Sequence, residues 1–404
     1  MLTSIQETKY LKWTNWSLFC LMLGFLSSPT LVSLYHIIII IPAILYFIKG
    51  DKIQIPKSAW ALLAITVWGF ASNIINIDTI IKTNRAYQEL KFYLLGFLLL
   101  PILTAYFKQA TNHQLKKLIN IVSVVVIIAF FVGISKAWFG FDPVKFRTGD
   151  FHERSGGFTN YMRYGYASAF LFLLGLGAFF NRSIIEKLIS PKLFYPAWGL
   201  SLAAIATSQT RGALLALIIG VPVMLLKYRP KLAKIVILLG AIFGSAVIYC
   251  SFIDQTITKS RFFNINQASN STRMTQFQAA IKSIEEKPVF GLGADQFSYN
   301  VIRLKETYDI GRKDYASHAH NILLEHGANY GLVGLLIFLL FMIMWAIEMI
   351  KRKDDLGWVV LSYICAFFVA GQVENLFDNT NSHLLFFIYS MSQTYKLKTN
   401  GENI

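Results

Sequence analysis

Leu118-Ile-Asn-Ile-Val-Ser-Val-Val-Val-Ile-Ile-Ala-Phe-Phe-Val-Gly-Ile134 decides the fold, because it carries no charge and is closed off by Lys116 and Lys117 before it and Lys136 after it. With its flanks it is long enough to cross the hydrocarbon core of a bilayer as a helix. Runs of the same kind recur at about 12–27, 30–48, 58–76, 90–107, 116–138, 163–181, 194–209, 211–227, 232–253, 331–350, 356–374 and 381–395. They are continuous apolar runs, not the short alternating strands of a membrane β-barrel. The expected fold class is therefore an all-α integral membrane protein of about twelve transmembrane helices. The first run feeds directly into the second, so no cleavable signal peptide is expected.

Composition agrees with this reading. The chain has 404 residues, of which 55% are hydrophobic and 15% charged, with a mean hydropathy of +0.49. That is far more apolar than a soluble domain. Cys20, Cys250 and Cys365 all fall within the predicted spans, so no disulfide framework is implied. The formal net charge is +16. Twelve spans put both termini on one side, and the short connections on that side are basic: Lys116 and Lys117, Lys227 and Arg229, Lys351 and Arg352. The positive-inside rule makes that side cytoplasmic. Anionic lipid at the inner surface then accounts for the basic balance, and no nucleic-acid partner is needed.

Three units follow. Residues 1–253 hold spans one to nine, 254–330 form a polar segment on the outer face, and 331–404 hold the last three spans and a short cytoplasmic tail. Within the polar segment, Met274, Phe277, Ile281 and Ile284 recur at helical spacing after candidate caps Asn270 and Ser271. Pro288, Gly291 and Gly293 break the chain, and Phe297, Val301, Leu304 and Tyr308 mark a second amphipathic helix.

The polar segment ends in Ser317-His-Ala-His-Asn321, just before the span that opens at Tyr330. An imidazole at a membrane–water boundary suits a general base that removes a hydroxyl proton. Asn321 would orient an imidazole or cap the following helix. Two other readings stand beside this one. The pair is purely structural, or His318 and His320 bind a metal with help from Glu325 or His326, although no HExxH or other closed ligand set is present. Arg211, in the tight hairpin Thr207-Ser-Gln-Thr-Arg-Gly212, is either a snorkelling interface residue or an anion clamp, since guanidinium grips phosphate oxygens bidentately. Arg154 and Arg163 bracket a Gly-Gly turn and divide between the same two readings. Glu374 and Asp378 sit at an outer span end, where carboxylates often only solvate a terminus.

Arg273-x3-Phe277-x2-Ala280, Lys287-Pro-Val-Phe-Gly-Leu-Gly293, His318-Ala-His-Asn-Ile-Leu-Leu-Glu325 and Tyr330-Gly-Leu-Val-Gly334 together resemble the shared domain of O-antigen ligases and polymerases. The resemblance covers about residues 200–345. It implies a metal-independent, inverting glycosyltransferase of multi-span, GT-C-like fold, with no cofactor, working at the periplasmic face of the bacterial inner membrane. The implied donor is O-antigen on undecaprenyl diphosphate, and the implied acceptor of the ligase member is lipid A–core. Carried over by motif, His320 is the base with His318 as its understudy. Arg211 is the first diphosphate clamp, Arg154 and Arg163 the second and third, and Arg85 and Lys91 weaker candidates. A polymerase or a protein O-oligosaccharyltransferase would use the same donor. A lipid-linked sugar transporter would instead place charge near the bilayer midplane.

Overall fold

A computed structural model of the chain describes residues 4–26, 34–35, 38–44, 55–149, 155–253, 268–311, 313–352, 354–377 and 379–395. Among these, helices dominate: α1 (Ser4–Leu26), α2 (Lys57–Ile75), α3 (Thr83–Gln109), α4 (Asn112–Phe139), α5 (Tyr161–Phe180), α6 (Arg182–Leu188) and α7 (Pro191–Ser208). They continue with α8 (Arg211–Tyr228), α9 (Pro230–Ile253), α10 (Ala268–Glu286), α11 (Phe297–Thr307), α12 (Ile322–Arg352), α13 (Asp355–Ala370) and α14 (Asn379–Thr394). The only sheet in the described residues is a two-stranded hairpin pairing Phe141 with Thr148.

Six helices, α2, α3, α4, α5, α8 and α12, are long and apolar enough to cross a membrane. The runs at 12–27, 194–209, 232–253, 356–374 and 381–395 fall largely on helix in their described residues, but these helices are not among the six, and of the 30–48 run only 34–35 and 38–44 are described. Pro196 inside α7 and the polar Thr207-Ser208 end belong to one such helix. The Gln209-Thr210 break is a true hairpin. Gln209 adopts a left-handed conformation at the end of α7, and Arg211 opens α8.

The helices form two packed groups. In one, α12 lies along α2, α3 along α2, and α14 along α3. In the other, α13 packs against α8 and α5, and α7 against α4 and α5. Contacts of α12 with α13 and of α14 with α13 and α5 join them. The shared core is rich in aromatics, with Tyr93, Phe130, Phe170, Tyr330, Trp345 and Tyr363 all fully buried. In lipid, where apolar contact with a neighbouring helix gains little over contact with acyl chains, such close packing supplies the association energy.

The segment between α9 and α12 has a small core of its own, in which Ala279, Ala280, Leu292, Phe297, Val301, Leu304 and Ala319 come together. The second amphipathic helix buries Phe297, Val301 and Leu304 as its spacing predicts, but Tyr308 stays exposed. The first differs from its predicted face. Thr272, Gln276, Ala279, Ala280 and Ser283 are buried, whereas Met274 and Ile281 are exposed. The candidate caps Asn270 and Ser271 lie inside α10. Small residues win because α10 packs closely on α12, where Ile284 fills the space beside Gly327.

Gly331 divides α12 with φ 70° and ψ −177°, so a short first helix turns into the long apolar one. Only glycine occupies that region readily, and an added Cβ would collide with the backbone of Val289. A Gly331→Ala protein is therefore expected to lose about 1–3 kcal/mol from backbone strain alone, read as a lowered Tm in detergent.

Candidate active site

The site is built where the loop before α12 meets the turn after α13. Asn321 fixes the loop. Its Oδ1 accepts from the N–H groups of Leu323 and Leu324 at 2.9 and 3.0 Å, capping α12. Its Nδ2 donates to the Gln372 carbonyl at 3.1 Å, while Ile322 N–H donates to the Gly371 carbonyl at 2.7 Å. Two chain segments far apart in sequence are thereby locked in register.

That lock delivers both imidazoles to one carboxylate. His318 Nε2 lies 2.7 Å and His320 Nδ1 2.8 Å from the same oxygen, Oε1 of Glu374. The two rings stand 4.3 Å apart. Arg273 approaches the other oxygen, Oε2, at 3.5 Å. The Glu374 side chain is only 5% exposed and that of His320 13%, while that of His318 is 39% exposed. His320 itself sits in a left-handed conformation (φ +51°), the kind of backbone strain that concentrates at functional sites.

Burial alone would push the Glu374 carboxyl up, but the hydrogen bonds from His318 and His320 and the charge of the imidazoles outweigh it and hold it at about 2. In the neutral form of the His320 ring, with Nδ1 donating to this carboxylate, Nε2 carries the lone pair. That is the arrangement of an oriented base. The ligand atoms of His318, His320 and Glu374 also lie within 4.8 Å of one another, so the three are the residues that would converge on a metal ion.

A second carboxylate supports the loop from behind. Ala319 N–H, between the two histidines, donates to Glu325 Oε2 at 2.6 Å, and Asn329 Nδ2 donates to Glu325 Oε1 at 3.0 Å. Asp295, with its backbone at φ +52°, is raised to about 6 by burial and by the charge of Glu325, with Arg85 and His318 pulling the other way.

Residues 196–339 match the O-antigen ligase family model. No curated protein matches the chain. The matched region takes in Arg211, Arg273, His318, His320 and Glu325, and it stops short of Glu374.

Arg211 and Arg163 open α8 and α5 at the same end of the bundle. Thr210 Oγ1 donates to the Tyr161 carbonyl at 3.3 Å across that end. Along α8, Ser362 Oγ donates to the Gly220 carbonyl at 2.7 Å, and along α5 the Phe170 ring meets Tyr363 and Phe367. Both helices run antiparallel to α13, because Asn181 at the far end of α5 bonds Asp355 at the start of α13. Carried back to their first turns, these registers bring Arg163 and Arg211 to the level of the 371–374 turn. Arg154 lies outside the described residues, as do His152 and Asp378. Arg85 and Lys91 are on α3, in the other helix group. His326 is buried, with Nε2 2.6 Å from the Tyr93 hydroxyl and Nδ1 2.7 Å from the Ile322 carbonyl, and is a satisfied core residue.

Glu374 and Arg273 are the residues that motif reading did not place in the site. Glu374 lies 54 positions from His320 in sequence and carries no local signature.

Because the Glu374 carboxyl is depressed in the fold, its contribution to stability is full above the ordinary carboxylate value of 4.5 and is lost as pH falls toward 2. A Glu374→Gln protein should therefore unfold at lower temperature than the parent between pH 5 and 8. The gap should close as the pH drops below 4.5, which thermal unfolding across pH will check.

Proposed function

We propose that the protein is an O-antigen ligase of the bacterial inner membrane. It transfers O-antigen polysaccharide from undecaprenyl diphosphate to lipid A–core at the periplasmic face. In this reading the chain crosses the bilayer twelve times, both termini are cytoplasmic, and residues 254–330 form the periplasmic segment. The observation that carries the reading is His320, in a loop that the matched region contains, paired with Glu374, which lies beyond that region. His320 Nδ1 is held by a buried carboxylate, which leaves Nε2 to receive a proton.

The reaction proceeds as a single displacement. The acceptor hydroxyl attacks the anomeric carbon, its proton passes to His320 Nε2, and the bond to the diphosphate breaks with both electrons leaving on oxygen. Attack from the face opposite the leaving group inverts the anomeric centre. Negative charge builds on the diphosphate as that bond breaks, and fixed guanidinium groups stabilise it without needing to reorganise. Arg211 and Arg163 fill that role, sharing the level of the 371–374 turn, with Arg154 joining them. His318, more exposed and on the same Glu374 oxygen, stands in line to take the proton onward to solvent.

The metal-independent form of this reading is tested directly. Purified protein, lipid-linked O-antigen and lipid A–core are combined in EDTA, and glycan-bearing lipid A is measured. Wild type should keep its rate. His320→Ala should lose about 10²–10⁴-fold, the usual worth of a general base, and Arg211→Lys should lose rate because a point charge does not grip phosphate bidentately. Transfer at the wild-type rate by correctly inserted His320→Ala would sink the mechanism. Loss of wild-type activity in EDTA would turn His318, His320 and Glu374 into a metal centre. Donor chains that lengthen while lipid A stays bare would make the protein a polymerase.

A further inference from the structure

A cleft separate from the histidine pair opens at the start of α3. Its volume is about 570 Å³, within the range of small-ligand sites, and it is lined by Ile81, Lys82, Thr83, Asn84, Arg85, Gln88 and Tyr299. Two cations face it and no acid does. Two amides and a hydroxyl supply donors and acceptors at fixed spacing, and Tyr299 adds an aromatic ring with a polar tip. This lining suits a hydroxyl-rich, anionic ligand, with Arg85 and Lys82 for its phosphate.

The cleft is rigidly tied to the catalytic loop. Gln296, fully buried, holds the backbone of two of the lining residues. Gln296 Oε1 accepts from the N–H groups of Ile81 and Lys82 at 3.0 and 3.1 Å, and its Nε2 donates to the Lys82 carbonyl at 3.1 Å. The backbone N–H groups of Gln296 and Phe297 donate to Asn329 Oδ1 at 3.0 and 2.8 Å. Asn329 in turn donates to Glu325, which holds Ala319 N–H between the two histidines. An unbroken hydrogen-bonded chain thus runs from the cleft to His318 and His320.

Position decides which substrate the cleft receives. Arg211 and Arg163 belong to the helix group of α5, α8 and α13, whereas the cleft belongs to the group of α2, α3 and α12. The histidine–Glu374 cluster lies at the junction of the two groups. A displacement needs its leaving group and its nucleophile on opposite sides of the reacting carbon, so a donor held on one flank leaves the other for the acceptor. Resting on the ligase reading above, we infer that this cleft is the acceptor subsite and that it selects a phosphorylated saccharide.

The test uses the full chain in nanodiscs of zwitterionic lipid, with two readouts. In the transfer reaction, Arg85→Ala and Tyr299→Ala should each raise the acceptor KM about tenfold, the loss of one charge-assisted or stacking contact, with the donor KM held. Dephosphorylating the lipid A–core should raise the wild-type KM similarly and have little further effect on Arg85→Ala. In the second readout, delipidated phosphorylated core oligosaccharide should bind wild type and His320→Ala alike and bind Arg85→Ala at least tenfold more weakly. If transfer proceeds and neither substitution moves the acceptor KM, the subsite is overturned while the ligase reading stands. A raised donor KM would assign the cleft to the donor and overturn it likewise. If wild type transfers nothing to lipid A–core yet the oligosaccharide still binds through Arg85, the ligase reading falls and the saccharide site survives. Displacement of the oligosaccharide by anionic phospholipid alone would make the cleft a headgroup site and end the proposal.

Discussion

Glu374 is a carboxylate in a place that disfavours charge, at one end of an apolar bundle and almost wholly buried. Such a group persists only when donors surround it. Two imidazoles on one oxygen, a guanidinium near the other and the backbone N–H of Asn375 at 3.2 Å supply them. Much else in the site follows from that requirement. The loop before α12 must bend back to the turn after α13, Asn321 must cap and tether at once, and His320 must take up a left-handed backbone. The same contact ties α12 to α13 at the junction of the two helix groups.

Seen from the loop, the histidines stand between two carboxylates with different tasks. Glu374 fixes the rings, and Glu325 fixes the backbone between them. Both oxygens of Glu325 accept from N–H donors, and Asn329 spends its own oxygen on the start of α11. The direction of every hydrogen bond in this chain is therefore set by the chemistry of the groups. That polarity makes the loop, α11 and the wall of the α3 cleft one mechanical unit. A site that must present a base to a hydroxyl delivered from elsewhere benefits from such rigidity, because small misplacements cost large factors in rate.

How much was legible beforehand varies with the range of the signal. Span-length runs announced the helices, because in lipid a chain must satisfy its backbone within each segment. The hairpin at Gln209-Thr210 was legible for a local reason, polar residues between two apolar runs, whereas the turn at Gly331 appeared only in the structure. The paired histidines stood out because polar groups at a membrane border are costly. The buried face of α10 was misread: Met274 and Ile281 are exposed while Ala279 and Ala280 are buried. Hydrophobicity predicts burial from water, and close approach between helices asks for small side chains instead.

The sequence by itself determined an all-helical membrane protein, the position of its polar segment, the histidine loop and the arginine that opens α8. Each of these is written in contiguous residues, where period, length and charge act directly on local structure. The tertiary structure alone decided that Glu374 orients both imidazoles, that Arg273 faces the same carboxylate, and that Arg163 and Arg211 share one level of the bundle. It also decided that the α3 cleft is wired to the histidine loop. Those facts depend on which helix lies against which, and no local pattern fixes a contact between residues 54 positions apart.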